Sequence, residues 1–87
     1  MRKEWHDKAW DDYLYWQTQD KKTLQKINKL IRDIERTGGA STGRTEMLKG
    51  RLSSWASARI DEQNRLIYQL ERDVLRIISC RGHYSDK

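Results

Sequence analysis

The chain is short of three things: it has one cysteine, few apolar residues and no long hydrophobic run. A single cysteine, Cys80, excludes an internal disulfide framework. The two histidines, His6 and His83, stand too far from each other to give metal-ligand spacing with it. No metal or other cofactor is expected, and Cys80 reads as a small core filler on a buried strand. Nothing approaches the roughly 20 consecutive apolar residues of a membrane span, so no membrane partner is expected. The opening segment "MRKEWHDKAW" carries charges and no apolar centre, so no secretory signal is expected. A soluble, reducing, cytoplasmic setting is the resulting expectation. Apolar residues make up 36% of the 87, low for a globular domain. A chain of this length is expected to form a single domain, residues 1–87, with a small core. Four tryptophans and four tyrosines argue against disorder. A folded domain completed by an oligomer or a binding partner fits both facts.

Positive charge is present in two forms. The net charge is +5, which suits a polyanionic partner without requiring one. Residues 1–36 carry mostly lysine (Lys3, Lys8, Lys21, Lys22, Lys26, Lys29). Residues 37–87 carry mostly arginine (Arg44, Arg51, Arg59, Arg65, Arg72, Arg76, Arg81). Lysine suits a solvated helix face, whereas arginine's planar fork grips phosphate bidentately. The second half is therefore the expected contact surface for any nucleic acid.

Patterning divides the chain at the same place. A short first strand is expected over 2–6. Asp7 is expected to cap a helix through "KAWDDYLYWQTQ", whose Ala9, Trp10, Tyr13 and Leu14 form a one-sided stripe. Trp10, Tyr13, Tyr15 and Trp16 read as core or interface aromatics. Asp20 is expected to cap a second helix, in which Leu24, Ile27, Leu30, Ile31 and Ile34 keep helical spacing. Gly38-Gly39 should end it, and "GGASTG" reads as a loop. "RTEMLK", "SSWASARI", "NRLIYQLE" and "DVLRIISCRGHY" are strand candidates. Apolar residues in both phases of "VLRIISC" suit a strand covered on both faces. The expected fold is α+β: two N-terminal helices packed on one face of a twisted, mainly antiparallel sheet.

Glu46, Lys49, Arg59, Arg65, Arg81, His83 and Tyr84 come from separate strand candidates. Several of them can converge on the face the helices leave open. A three-residue loop (Asp61, Glu62, Gln63) would set Arg59 opposite Arg65. A four-residue loop would separate them, and the sequence does not choose. RNA cleavage by its own 2′-OH needs a base, a cation at the phosphorane and an acid at the departing 5′-oxygen. Glu46 fits the base, and Arg65 with Arg59 or Lys49 fits the cation. His83, with an unperturbed pKa of about 6.5, fits the acid. Tyr84 fits phosphate orientation or base stacking. The plain alternatives are a solvated carboxylate, cross-strand charge partners and an exposed histidine.

"AWDDYLYWQTQDKKTLQKINKLIRDIER" (9–36), "EMLKG" with Leu52, "ARIDEQNRLIY" (58–68) and "HY" (83–84) together resemble the YoeB/Txe toxins of the RelE/ParE superfamily. The resemblance covers nearly all of residues 4–84. It implies two helices on a twisted antiparallel sheet and a ribosome-dependent mRNA interferase that cuts in the 70S A site by 2′-OH attack, without a metal. It also implies a homodimer and a neutralising antitoxin of the YefM type. Carried over by position, the family's base falls on Glu46, its phosphate-stabilising arginine on Arg65, its acid on His83 and its tyrosine on Tyr84. Lys49 and Arg59 fall in the basic support, and Arg81 joins them as an expected phosphate contact.

This chain departs from the family pattern in several places. "GRTEMLK" lacks the prolines that flank the glutamate in the family, which frees the local backbone. Helix two ends in "TGG" without the family's proline-phenylalanine end. Ala58 stands where the family carries an arginine, an exchange expected to thin the phosphate surface. "SDK" extends past a His-Tyr pair that is normally terminal. Two other readings remain open on the sequence: a non-catalytic inhibitor of the ParE kind, and a catalytically weakened homologue serving as an antitoxin-binding co-repressor.

Overall fold

Asp20 starts the longer helix by chemistry its neighbours supply. Its carboxylate accepts from the backbone N–H groups of Lys22 and Thr23 at 3.1 and 3.2 Å. The Thr23 hydroxyl donates to it at 2.8 Å, and these bonds hold the Asp20 carboxyl below its ordinary value. The helix ends at Gly38, whose φ of 68° is cheap only for glycine. Its N–H closes the last turn on Ile34 O at 2.8 Å.

The computed structural model describes residues 1–38, 45–50 and 53–82. In chain order they form β1 (Arg2–Trp5), α1 (Asp7–Gln19), α2 (Lys21–Thr37), β2 (Thr45–Met47), β3 (Ala56–Arg59), β4 (Arg65–Glu71) and β5 (Val74–Ser79). The five strands make one sheet in the order β1-β5-β4-β3-β2. Only β1 and β5 run parallel; the other neighbours are antiparallel. The α+β expectation holds, with β5 an interior strand as its apolar content required.

Both helices lie on one sheet face. Ile27, Ile31 and Ile34 of α2 join Ala9 and Trp16 of α1 over Ala56, Ala58, Leu66, Tyr68, Leu75 and Ile77. Strand alternation sends the other phase to the opposite side. Cys80 is fully buried in this core. Burial, helped by the Asp12 charge and opposed by Lys8, pushes its thiol up to about 12, so it is inert packing.

Helix α1 differs from its expected form in two ways. His6 occupies the cap position and makes no side-chain cap bond, while Asp7 is the first helical residue. There its charge favours the positive end of the helix dipole instead. The buried stripe is Ala9, Asp12 and Trp16, with Tyr13 half-buried, while Trp10 and Leu14 remain 45% and 41% exposed. The stripe includes an aspartate because α1 uses it to hold the end of β5. Asp12 accepts from Lys8 Nζ at 2.8 Å and from Cys80 N at 3.0 Å. Trp16 adds an indole N–H bond to Cys80 O at 2.9 Å.

A bulge prepares β5 for that contact. Tyr68 pairs with Ile77, but Ile67 pairs with Ser79, so Ile78 is an extra residue in the ladder. Beyond it, Ser79 turns its hydroxyl to Lys8 and Asp12 of α1.

Candidate functional site

The register of the β2-β3-β4 sheet assembles a polar group on the face away from the helices. Glu46 pairs with Ser57, and Ser57 pairs with Ile67. Arg59 pairs directly with Arg65. Residues of one phase share a face, so Glu46, Arg59 and Arg65 stand together. Adjacent strands lie about 4.8 Å apart and each residue advances about 3.4 Å. Glu46 and Arg65, two strands and two residues apart, therefore have Cα atoms about 12 Å apart.

The β3–β4 turn supplies the register that the sequence left open. Asp61 Oδ1 accepts from Gln63 N at 2.8 Å and from Asn64 N at 2.7 Å. Ile60 N donates to Asn64 O at 3.0 Å and closes a three-residue loop, 61–63. The shorter of the two loops is thus the one formed, because an Asx-type turn stabilises it locally. Burial pushes the Asp61 carboxyl up, but the donors on Asn64 and Gln63, with Lys26, outweigh it and leave the pKa lowered.

Two arginines set opposite each other repel across the strands. Arg59 has one acidic neighbour, the exposed Glu62, at 4.0 Å. Arg65 is more exceptional: its Nη1 is buried and has no hydrogen-bond partner among the described residues. Arg76 shows the ordinary outcome elsewhere on the same sheet. Its guanidinium meets Glu4 at 3.2 Å, and it also bonds Glu71 and Gln69. One end of the sheet is thus neutralised, whereas at the other Arg65 keeps one buried donor unpartnered among the described residues. A buried donor left without an acceptor is costly, and an anion seated there would remove the cost.

Other expected residues fall differently. Lys49 is exposed just beyond β2, past the bond from Leu48 N to Trp55 O. Arg81 is not brought to the group. Its guanidinium carbon lies 3.6 Å from the centroid of the Tyr15 ring on α1, because the bulge and Asp12 draw that segment towards the helix. Ala58 is fully buried against the helices, so its side chain is not on the face of Arg59 and Arg65. The expected thinning of the phosphate surface does not follow from that position. His83 and Tyr84 lie outside the described residues. Sequence reasoning missed Asp12 and Asn64, both buried; the signal available was a polar residue in an otherwise apolar phase.

This is a small basic α+β chain that sets two arginines and a carboxylate on the sheet face away from the helices, one buried guanidinium nitrogen having no partner among the described residues. The profile described as "YoeB-like toxin of bacterial type II toxin-antitoxin system" matches residues 5–84. Toxin YoeB of Escherichia coli (strain K12) is 48% identical over 84 residues, spanning 97% of this chain and all of that one. The solved YoeB/ParE toxin from Agrobacterium tumefaciens superposes with a TM-score of 0.91 at 40% identity, covering 97% of this chain and 100% of that one. A YoeB-YefM complex from Staphylococcus aureus gives 0.87 at 36% identity, over 97% and 98%. The chain belongs to the YoeB-like toxins of bacterial type II toxin–antitoxin systems.

Proposed function

We propose that this toxin is a metal-independent mRNA endonuclease that acts in the A site of the 70S ribosome, residues 1–87 working as one domain. The observation that carries the reading is the Arg59–Arg65 pair on the face that also holds Glu46, with the buried Nη1 of Arg65 unpartnered among the described residues. A span of about 12 Å between the Glu46 and Arg65 backbones suits two inward-reaching side chains with one nucleotide linkage between them.

In the proposed reaction Glu46 removes the proton from a ribose 2′-OH. The 2′-oxygen forms a bond to phosphorus, and the bond from phosphorus to the 5′-oxygen breaks. Arg65, with Arg59 and Lys49 behind it, stabilises the charge on the phosphorane. His83 gives its proton to the departing 5′-oxygen, and Tyr84 orients the phosphate. The products are a 2′,3′-cyclic phosphate and a 5′-hydroxyl. In this scheme Arg81 supports the C-terminal segment from the helix side.

A second copy of the chain and a YefM-type antitoxin are the proposed protein partners. Support comes from Staphylococcus aureus relatives solved as a YoeB dimer and as a YoeB-YefM complex. Exposed Trp10 and Leu14 offer apolar surface for such a partner. Among the described residues no helix is long and apolar enough to cross a membrane, and work on ribosomes implies the cytoplasm.

The test adds purified protein to programmed ribosomes and maps the message by primer extension. Wild-type protein is expected to cut at the A-site codon. Glu46→Ala and His83→Ala are each expected to slow cutting by roughly 10²–10⁴-fold, the usual weight of a general base or acid. An intact message with wild-type protein, or cutting unaffected by both substitutions, refutes the reading.

A further inference from the structure

Gly82 is gripped at both its N–H and its C=O by two consecutive residues. Its N–H donates to Asn64 Oδ1 at 2.8 Å. Its C=O accepts from Arg65 N at 3.1 Å. Gly82 itself has φ 82°, a left-handed conformation in which glycine is unstrained. Asn64 is only 9% exposed, and both ends of its amide are engaged. Nδ2 donates to both carboxylate oxygens of Asp61, at 3.1 Å each. The amide is therefore oriented on one side by a carboxylate and used on the other to hold a backbone.

The covalent neighbours give this clamp its meaning. Asn64 precedes Arg65, and Gly82 precedes His83. We infer that Asn64, oriented by Asp61, is a positioning residue: it sets the register between the start of the strand carrying Arg65 and the backbone that leads into His83. The inference rests on the nuclease reading above. A primary amide suits the role because it donates to Asp61 and accepts from Gly82 at once. A carboxylate at position 64 would repel Asp61, and an alanine would leave the Gly82 N–H without its acceptor. Misplacing a reacting group by about 1 Å can cost on the order of 100-fold in rate.

Single-turnover cleavage on programmed ribosomes, below the melting temperature of every variant, tests the inference. Asn64→Ala is expected to lower the maximal rate by roughly 10–100-fold, with little change in the half-saturating toxin concentration. In a His83→Ala background the same substitution is expected to cost almost nothing, since the group it positions is gone. The exchange Asp61→Asn/Asn64→Asp keeps every donor matched to an acceptor and is expected to restore most of the rate lost in Asn64→Asp alone. A purely structural role predicts equal losses with and without His83, and that result overturns the inference. So does a change confined to half-saturation. Amide hydrogen exchange at Gly82 is read in parallel and should accelerate in Asn64→Ala. Should wild-type protein leave the message intact, the nuclease reading fails and takes the catalytic part with it. Gly82 exchange still decides the clamp, which unchanged protection in Asn64→Ala would refute.

Discussion

Replacing Asp12 by alanine tests whether α1 holds the end of β5 through one buried oxygen. Asp12 Oδ2 accepts from Lys8 Nζ at 2.8 Å, Cys80 N at 3.0 Å and Ser79 Oγ at 3.4 Å. The Asp12 side chain is 8% exposed, whereas that of Lys8 is 55% exposed. Alanine leaves the buried Cys80 N–H without a partner, which costs about 1–3 kcal/mol. Ser79 keeps a second acceptor, Arg81 O at 3.3 Å, and adds little. Lys8 regains water, so its surface ion pair accounts for no more than about 0.5 kcal/mol. The sum is about 1–3.5 kcal/mol for Asp12→Ala, with its middle at about 2 kcal/mol. Asparagine retains an acceptor for Cys80 N and loses only the charge, so Asp12→Asn should cost about 1 kcal/mol. In a domain of this size each kcal/mol lowers Tm by about 4–8 °C. At the middle of that range alanine should melt about 8–16 °C below wild type, and asparagine about 4–8 °C below. Thermal denaturation by circular dichroism reads this directly at one fixed protein concentration, because a self-associating chain melts in a concentration-dependent way. Equal losses for the two variants would refute the reasoning, as would a cost under 1 kcal/mol for alanine.

Three further outcomes are expected. Ile27→Ala removes a fully buried α2 side chain and should cost about 2–5 kcal/mol in urea unfolding. Gly38→Ala adds a Cβ that meets nothing within 4 Å but stands at φ 68°, so backbone strain alone should cost about 1–2 kcal/mol in the same assay. Asp61 has a lowered pKa in the folded protein, so its stabilising contribution is full above its unfolded value of about 3.9 and is lost as pH falls through the lower folded value. Denaturation measured from pH 5 to pH 2 should show a shallower acid-side loss in Asp61→Asn than in wild type.

Local chemistry made α2 and the strands legible. The isoleucines of α2 keep helical spacing between an aspartate that caps and a glycine that stops, and no tertiary contact is needed to read them. The grouping of Arg59 with Arg65 was narrowed to two registers. What chose between them was a side-chain-to-backbone turn at Asp61, worth too little in isolation to predict. Asp12 was hidden because amphipathic patterning assigns a carboxylate to water. Its burial makes sense only once the Cys80 N–H, 68 positions away, is known to need an acceptor. Arg81 reads from sequence as a phosphate contact, but its guanidinium lies over the Tyr15 ring of α1; the inserted residue in the β5 ladder just before it leaves no mark in composition. Ala58 shows the value of register: one step of strand phase separates the guanidinium of Arg59 from a core methyl.

The parallel pairing of β1 with β5 also governs when the molecule can come into being. Arg2–Trp5 are made before Val74–Ser79, their strand partner among the described residues, which comes more than 60 residues later. Until then the N-terminal strand has no ladder to join, and closing so long a loop is slow. The same wait applies to β5 itself, whose pairing with β4 brings Gly82 beside Arg65, so that arrangement also forms only once the last strand has been made.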